Sequence, residues 1–328
     1  MRRQGDVNPN DQKVLRVSCA GGAEKNVPLL VLKCLHCLTI YATICENAWK
    51  SKCPECQNGD PGLAVPTEQD GQAWSREEHI IAFQVYNRIP FGTIHMRNPK
   101  IIELAAILGR KVGSASRKLA NFSRLDPVHM TRGVHGLAHG CKGEEEIWQE
   151  FDQRPESLAL ESARLLSDRL GSSIEDVADI DQWDLPPPGL EREALVKLRV
   201  NQSFFRHRVL SAYEYRCCVT GLTNPLLLVA SHIVPWAEDA GHRLNPRNGL
   251  CLNALHDRAF DRGLMWVESN FVVRLSPKIG STSGEAKQSA EWLMSFDGKK
   301  LILPRHFRPD TDLLAKHAAR NCKETSRM

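Results

Sequence analysis

The sequence predicts a multidomain chain of the α+β class. It would contain a small metal-stapled module, a domain of three short helices and a C-terminal strand, loop, strand and helix unit. Three observations carry this. Two Cys-x-x-Cys pairs lie near the start with fifteen residues between them. Capped, amphipathic helical patterns run from Trp74 to Phe122. The stretch "LLLVASHIVPWAEDAGHRLNPRNGLCLNALHDRAFDRG" sets His232, Asn248 and His256 among two apolar runs and a helical pattern, at spacings of sixteen and eight.

At 328 residues and 42% hydrophobic content the chain is long enough for two or three domains with a real core. No apolar run approaches the roughly 18 to 20 residues of a membrane helix. "MRRQGDVNPNDQK" lacks the apolar stretch of a secretory signal, so a cytoplasmic location and no membrane partner are the expectation. Eleven cysteines, an odd count in a chain of this size, point to thiols or metal ligands rather than disulfides. The net charge of +4 hides an asymmetry. Residues 1–73 balance eight basic against eight acidic side chains, and 74–132 carry ten against four. Residues 133–199 carry seven against fifteen, and 200–328 eighteen against twelve. Two basic modules flank an acidic connector, which suits a polyanionic ligand such as double-stranded DNA.

The first module spans 1–65. Cys34 and Cys37, then Cys53 and Cys56, each form a turn whose two thiolates point the same way, and two such turns close a tetrahedral shell around structural Zn²⁺. Strand-like runs cover Val27 to Leu32 and Leu38 to Ile44. Four thiolates leave no open position for water, so the zinc is a staple for a segment with little core. His36 and Cys45 lie outside the ligand set, and Cys45 is assigned to packing. The Pro, Gly and polar residues of 60–73 read as a linker.

A helical domain is expected over 74–165. Ser75 caps the first helix, with Glu78 completing a capping box and Ile81, Val85 and Ile89 at helical spacing. Asn98 caps the second, Pro99 takes its first position, and Gly109 ends it. The third runs from about Ser114 to Phe122, with Leu119 and Phe122 inward. Three short helices with a Gly-containing turn before a basic third one match helix-turn-helix architecture. The pattern from Trp74 through "LAAILGRKVGSASRKLANF" resembles the Myb/SANT-like helix-turn-helix family. That resemblance implies DNA contact by Arg110, Ser114, Arg117, Lys118 and Asn121. A protein-contacting three-helix unit is the alternative. Acidic helical sequence from 143 leads to Pro186 to Pro188, an extended spacer, and the acidic, Pro-rich stretch 166–199 reads as a linker.

In the C-terminal domain, 200–310, a helix ends near Tyr213, a strand covers Leu226 to Ser231 and His232 stands at its end. Asn248-Gly249 reads as a two-residue turn signal before the strand Leu250 to Leu252. Helical sequence follows from Asn253 to Arg262, with Asn253 and His256 on one face and Asp257 and Asp261 together on an adjacent one. Residues 311–328 read as a tail.

This strand, His, loop, Asn, strand and helix order resembles the HNH endonucleases of the ββα-metal fold. "ASHIVPW" and "NPRNGLCL" with "LHDRAFDRGL" are similar to the branch found in predicted bacterial restriction endonucleases. The likeness covers about residues 200–310, and 74–165 also looks like the N-terminal part of such enzymes. It implies metal-dependent hydrolysis of DNA phosphodiesters in restriction or defence against foreign DNA. In-line hydrolysis needs a base on one side of the phosphorus and a cation near the leaving oxygen on the other. By the resemblance His232 is the base, Asn248 fixes the loop that aims it, and His256 holds the divalent metal. Many HNH nucleases carry an Asp or His metal ligand directly before the base, and Ser231 stands there. Asp257 or Asp261 is therefore expected to complete the shell, with Mg²⁺ or Mn²⁺ suited to carboxylates. The same aspartates are also candidates for helix capping or for ion pairs with Arg258 or Arg262. Some relatives staple this fold with a second zinc; only Cys217 and Cys251 remain of such pairs, so they are expected to pack as small apolar groups. Trp236 reads as a core anchor, and His207, His242 and His306 need no role.

A single HNH site cuts one strand at a time, so cleavage of both strands requires a homodimer or two binding events. Two other readings stay open. One is a non-catalytic DNA-binding regulator that uses the HNH fold as a scaffold; the other is an RNA- or structure-specific nuclease.

Overall fold

A computed structural model describes residues 5–18, 28–90, 92–130, 140–281 and 287–325 of the chain. It divides into two compact units, 1–201 and 202–328. The expected strand start at Val27 lies outside the described residues.

The first unit opens with strands β1 (Gln12–Ser18), β2 (Leu29–Cys34) and β3 (Ile40–Ile44), an antiparallel sheet in the order β1-β2-β3. A register shift between Val14 and Arg16 bulges β1. Val14, Leu30, Leu32, Tyr41 and Ala48 form its core, with Cys45 packed against it. The buried Asn8 amide donates to Ala48 O (2.8 Å) and Ser51 O (3.0 Å), which ties the start of the chain to the second cysteine turn.

Helices α1 (Arg76–Tyr86), α2 (Pro99–Leu108) and α3 (Val112–Leu125) follow; the first two are capped as the sequence indicates, while α3 starts after Lys111 with no side-chain cap. Ser75 and Glu78 form the capping box of α1, Asn98 caps α2, and Gly109 closes α2 in the left-handed region at φ 68°. A short α4 (Pro127–Met130) precedes α5 (Lys142–Phe151), α6 (Pro155–Leu170), α7 (Ile174–Val177) and α8 (Leu190–Ala212). Phe83 joins α1 to α3 and α5, with its ring 4.9 Å from Phe122 and 5.3 Å from Trp148. Arg16 of β1 donates to Ala106 O of α2 (2.9 Å) and pairs with Glu68, and Lys33 pairs with Glu103 at 2.7 Å, so the sheet and the helices share one unit. The boundary placed at 165/166 falls inside α6, and much of the segment read as a linker is helical. Helix α8 likewise runs through 199/200. Leu158, Ala159, Ala163 and Leu166 bury one face of α6, which the acidic composition of the segment obscures.

In the second unit β4 (Leu228–His232) pairs antiparallel with β5 (Gly249–Asn253), and α9 (Ala254–Asp261) follows directly. Strands β6 (Met265–Val267) and β7 (Val273–Leu275) form a hairpin, followed by α10 (Lys287–Met294) and α11 (Thr311–Thr325). The described part of the segment read as a tail, Thr311–Thr325, is thus a helix. Leu313 and Leu314 are buried, and His317 stacks on Phe260 of α9 at 3.8 Å.

Candidate functional site

The four cysteines converge. Cys34 ends β2, Cys37 lies in the β2–β3 turn, and Cys53 and Cys56 form the turn beyond β3; their sulfurs all lie within 4.8 Å of one another. Cys34 Sγ is 3.6 Å from Cys56 Sγ, and Cys37 Sγ is 3.4 Å from Cys53 Sγ. The second turn is held by Gln57, whose Oε1 accepts from Cys53 N (2.8 Å), and by Gly59 N donating to Cys53 O (3.0 Å). A side chain at Gly59 would collide with Lys52 O, so only glycine closes this turn. The hydroxyl of Thr39 lowers the Cys37 thiol to about 6, whereas burial and the neighbouring sulfurs push Cys56 up to about 12. Four thiols this close cannot all ionise unaided. The cluster fits a thiophilic cation and could hold zinc.

The residues expected to read DNA from the third helix separate into two groups. Arg110 is buried. Its guanidinium pairs with Glu78 at 2.6 Å, donates to Gln69 O, Gln72 O and Ala73 O at 2.9 Å each, and lies 4.5 Å over the Trp74 ring. Lys118 is also buried, ion-paired with Glu144 of α5, and Asn121 donates to the same carboxylate at 2.9 Å. These three hold the domain together: Arg110 is locked by α1 and the segment before it, and α5 covers the face of α3 that carries Lys118 and Asn121. Ser114 and Asn121 are both half-buried, so Arg117 alone of the five is exposed.

In the C-terminal unit His232 ends β4 with its ring stacked on Phe205 of α8 (3.8 Å) and edge-on to Trp236 (5.5 Å). Its Nε2 lies 3.0 Å from Arg243 O. A carbonyl only accepts, so Nε2 carries the hydrogen and Nδ1 is the unprotonated nitrogen of the neutral ring. Burial lowers the pKa of His232; the Arg243 carbonyl and the charge of Asp261 work against this. Asn248 is buried and clamps the loop between the strands. Its Oδ1 accepts from Val234 N (2.8 Å), and its Nδ2 donates to Val234 O (3.0 Å) and His242 O (3.2 Å). Trp236 is half-buried in this loop, where its carbonyl accepts from Arg243 Nε at 2.9 Å.

Asn248-Gly249 is not a hairpin turn. Asn248 ends a 3₁₀ turn, and Gly249 at φ −129° is extended and opens β5 directly opposite His232. A Cβ at Gly249 would collide with Val209 Cγ2 and sit 3.0 Å from Phe205 Cζ. The glycine is needed for the close approach of α8, not for a positive φ.

The helix α9 presents His256 and Asp257 differently. Asn253 caps α9, so neither aspartate does; its Oδ1 accepts from His256 N (2.9 Å) and His256 Nδ1 (3.0 Å). His256 is completely buried, its ring 5.6 Å from Trp292 and 5.1 Å from Phe296, and burial lowers its pKa to about 4. Its Nε2 has no hydrogen-bond partner. Asp257 instead faces β4. Burial raises its carboxyl, the Ser231 hydroxyl across the strand lowers it, and the charge of Asp261 raises it again. The Ser231 oxygen is buried and makes no hydrogen bond at normal distance. Among the described residues, His256, Asp257 and Asp261 do not converge as a metal-ligating set of three. His256 turns towards Trp292 and Phe296 while the next residue, Asp257, faces the strand. Cys217, Cys218 and Cys251 are buried together behind β5, with Cys217 Sγ accepting from Asn253 N at 3.3 Å.

Residues 217–268 match the HNH endonuclease family. The match covers both strands, the loop and α9 and suggests a nuclease-type, DNA-binding domain in this part of the chain. A search of curated proteins finds no relative of the chain.

Proposed function

We propose that the chain is a metal-dependent DNA endonuclease whose general base is His232. The observation that supports this most is the Arg243 carbonyl at His232 Nε2, which leaves Nδ1 free to take a proton at the end of β4. His232 Nδ1 removes a proton from water, the water oxygen attacks phosphorus, and the bond to the 3′ oxygen breaks. Asn248 keeps the loop that carries Arg243 in place, and Phe205 fixes the plane of the His232 ring. Asp257 and the buried Ser231 oxygen beside it, with the charge of Asp261 nearby, are all oxygen donors and fit a hard divalent ion such as Mg²⁺ or Mn²⁺. When bound there, such an ion stabilises charge on the phosphoryl group and the leaving oxygen.

Basic side chains including Arg117 contact phosphate, the four cysteines hold structural zinc, and double-strand cleavage uses a homodimer or two binding events. Action on foreign DNA, in restriction or defence, is the setting that fits best. The test is incubation of the full chain with modified phage DNA and unmodified plasmid in Mg²⁺, Mn²⁺ or EDTA, beside His232→Ala. Metal-dependent cutting lost in the variant, with DNA binding kept, supports the reading.

Ser231, where an acid would add a second charged ligand, favours one alternative: a DNA-binding regulator that uses the domain as a scaffold. Binding without turnover in any divalent metal would establish it instead.

A further inference from the structure

We propose that His79, Cys141 and Glu144 form a second transition-metal site, in the helical domain, whose place is held by the Lys118 ammonium. The donor atoms of these three side chains all lie within 4.8 Å of one another. His79 Nε2 is 3.5 Å from Cys141 Sγ. Zinc bonds of about 2.0 Å to nitrogen and 2.3 Å to sulfur give a tetrahedral edge of about 3.5 Å, so this pair is already spaced as ligands.

Each donor is also aimed. His79 Nδ1 lies 2.7 Å from Ser75 O, which fixes the hydrogen on Nδ1 and turns the Nε2 lone pair into the cluster. A backbone carbonyl on the far nitrogen is the usual support of a metal-binding histidine. Glu144 is held through Oε2 by Cys141 N (2.6 Å) and through Oε1 by Asn121 (2.9 Å). Gly143 lets the start of α5 reach the imidazole, since a Cβ there would lie 2.9 Å from His79 Cε1. Cys141 is exposed, which gives an ion a way in.

The cluster already selects a cation. Lys118 Nζ is 3.2 Å from His79 Nε2, 3.4 Å from Cys141 Sγ, paired with Glu144 and 5.1 Å over the Trp74 ring. A divalent ion entering this point displaces the ammonium, and the Cys141 thiol gives up its proton to solvent. One nitrogen, one sulfur and one carboxylate oxygen suit Zn²⁺ or a similar borderline ion rather than Mg²⁺. The bound ion would clamp α1 to the start of α5. This site stands independently of the nuclease reading.

The experiment is metal analysis of the full chain after equilibration with buffered Zn²⁺. About two zinc ions per chain are expected, falling to about one in Cys141→Ser, a change at an exposed side chain. Lys118→Met removes the competing charge and tightens the second ion about tenfold or more. Cobalt substitution reads the same site, because the thiolate-to-cobalt absorption drops in Cys141→Ser while the four-cysteine signal stays. One zinc per chain in both the parent and Lys118→Met, with the four cysteines saturated, overturns the proposal. So does a second zinc that survives Cys141→Ser.

Discussion

His232 stands directly across the β4–β5 ladder from Gly249, and the same phenyl ring, Phe205, stacks on the histidine and packs over the glycine. The position of the proposed base therefore depends on a side chain that is absent. Gly249→Ala would push Val209 and Phe205 outward. Overpacking of this kind costs roughly 1–3 kcal/mol. The expected result is a lower Tm, with a loss of cleavage larger than the loss of folded protein. Unchanged cleavage in a folded variant would show that the Phe205 stack does not aim His232.

Asn248 gives a separate handle on the same histidine. Asn248→Ala strips hydrogen bonds from Val234 N, Val234 O and His242 O in a buried loop. Each bond is worth about 1 kcal/mol net, and leaving buried groups unpaired adds to that, so a loss of about 2–4 kcal/mol in urea unfolding is expected. Among molecules still folded, the cleavage rate should fall while DNA affinity holds. A fall in affinity with an unchanged rate would assign Asn248 to DNA contact instead.

Much of this site was legible in the sequence, and what was not has a physical cause. Caps are local, so Ser75, Asn98, Pro99 and Gly109 placed α1 and α2 from a few residues each. The two Cys-x-x-Cys turns were equally local. A helical projection, however, shows which residues share a face and not what covers it. Arg110 and Lys118 looked like a DNA-reading face because Glu78 and Glu144 come from other helices, the latter 26 residues after Lys118. His256 and Asp257 are neighbours, and spacing alone could not say which turns to β4. Gly249 carried the signature of a turn but serves close packing, which only the position of α8 reveals.

The two groups on the expected recognition helix make opposite predictions. Arg110→Ala leaves Glu78 buried without its main partner, although Arg169 lies 3.7 Å from the same carboxylate. Breaking a buried pair from one side costs about 3–5 kcal/mol, so the variant should lose stability first and binding only as a consequence. Arg117→Ala, at an exposed position, should leave unfolding unchanged. If it contacts phosphate, it reduces the slope of log K against log salt by about one. A salt slope identical to the parent would remove Arg117 from the DNA interface.

Adjacent substitutions in α9 separate the proposed cation ligand, Asp257, from the buried histidine. Asp257→Asn should abolish metal-dependent cutting and weaken Mn²⁺ binding, read by calorimetry, with little change in Tm. Burial already works against its charge. His256→Gln should lower Tm instead, since the ring fills the space beside Trp292 and Phe296. Loss of Mn²⁺ binding in a folded His256→Gln protein would return the ligand role to His256.

The same histidine makes stability depend on pH. In the unfolded chain an imidazole titrates near 6.5, whereas His256 and His317 are lowered to about 4 in the fold, chiefly by burial. Between those values the unfolded state binds more protons, so stability falls as pH drops from about 6.5 towards 4 and is fully present above that window. Each lowered histidine is worth up to about 3 kcal/mol at the acid end. Urea unfolding of the full chain, followed by tryptophan fluorescence from pH 7.5 to 4.5, should show this decline. In His256→Gln the decline should shrink by up to about half, with His317 and the likewise lowered His232 supplying the remainder. A decline of the same depth in the variant would mean that His256 is protonated in the folded protein, which would require a partner for the Nε2 that the aromatic pocket leaves without one.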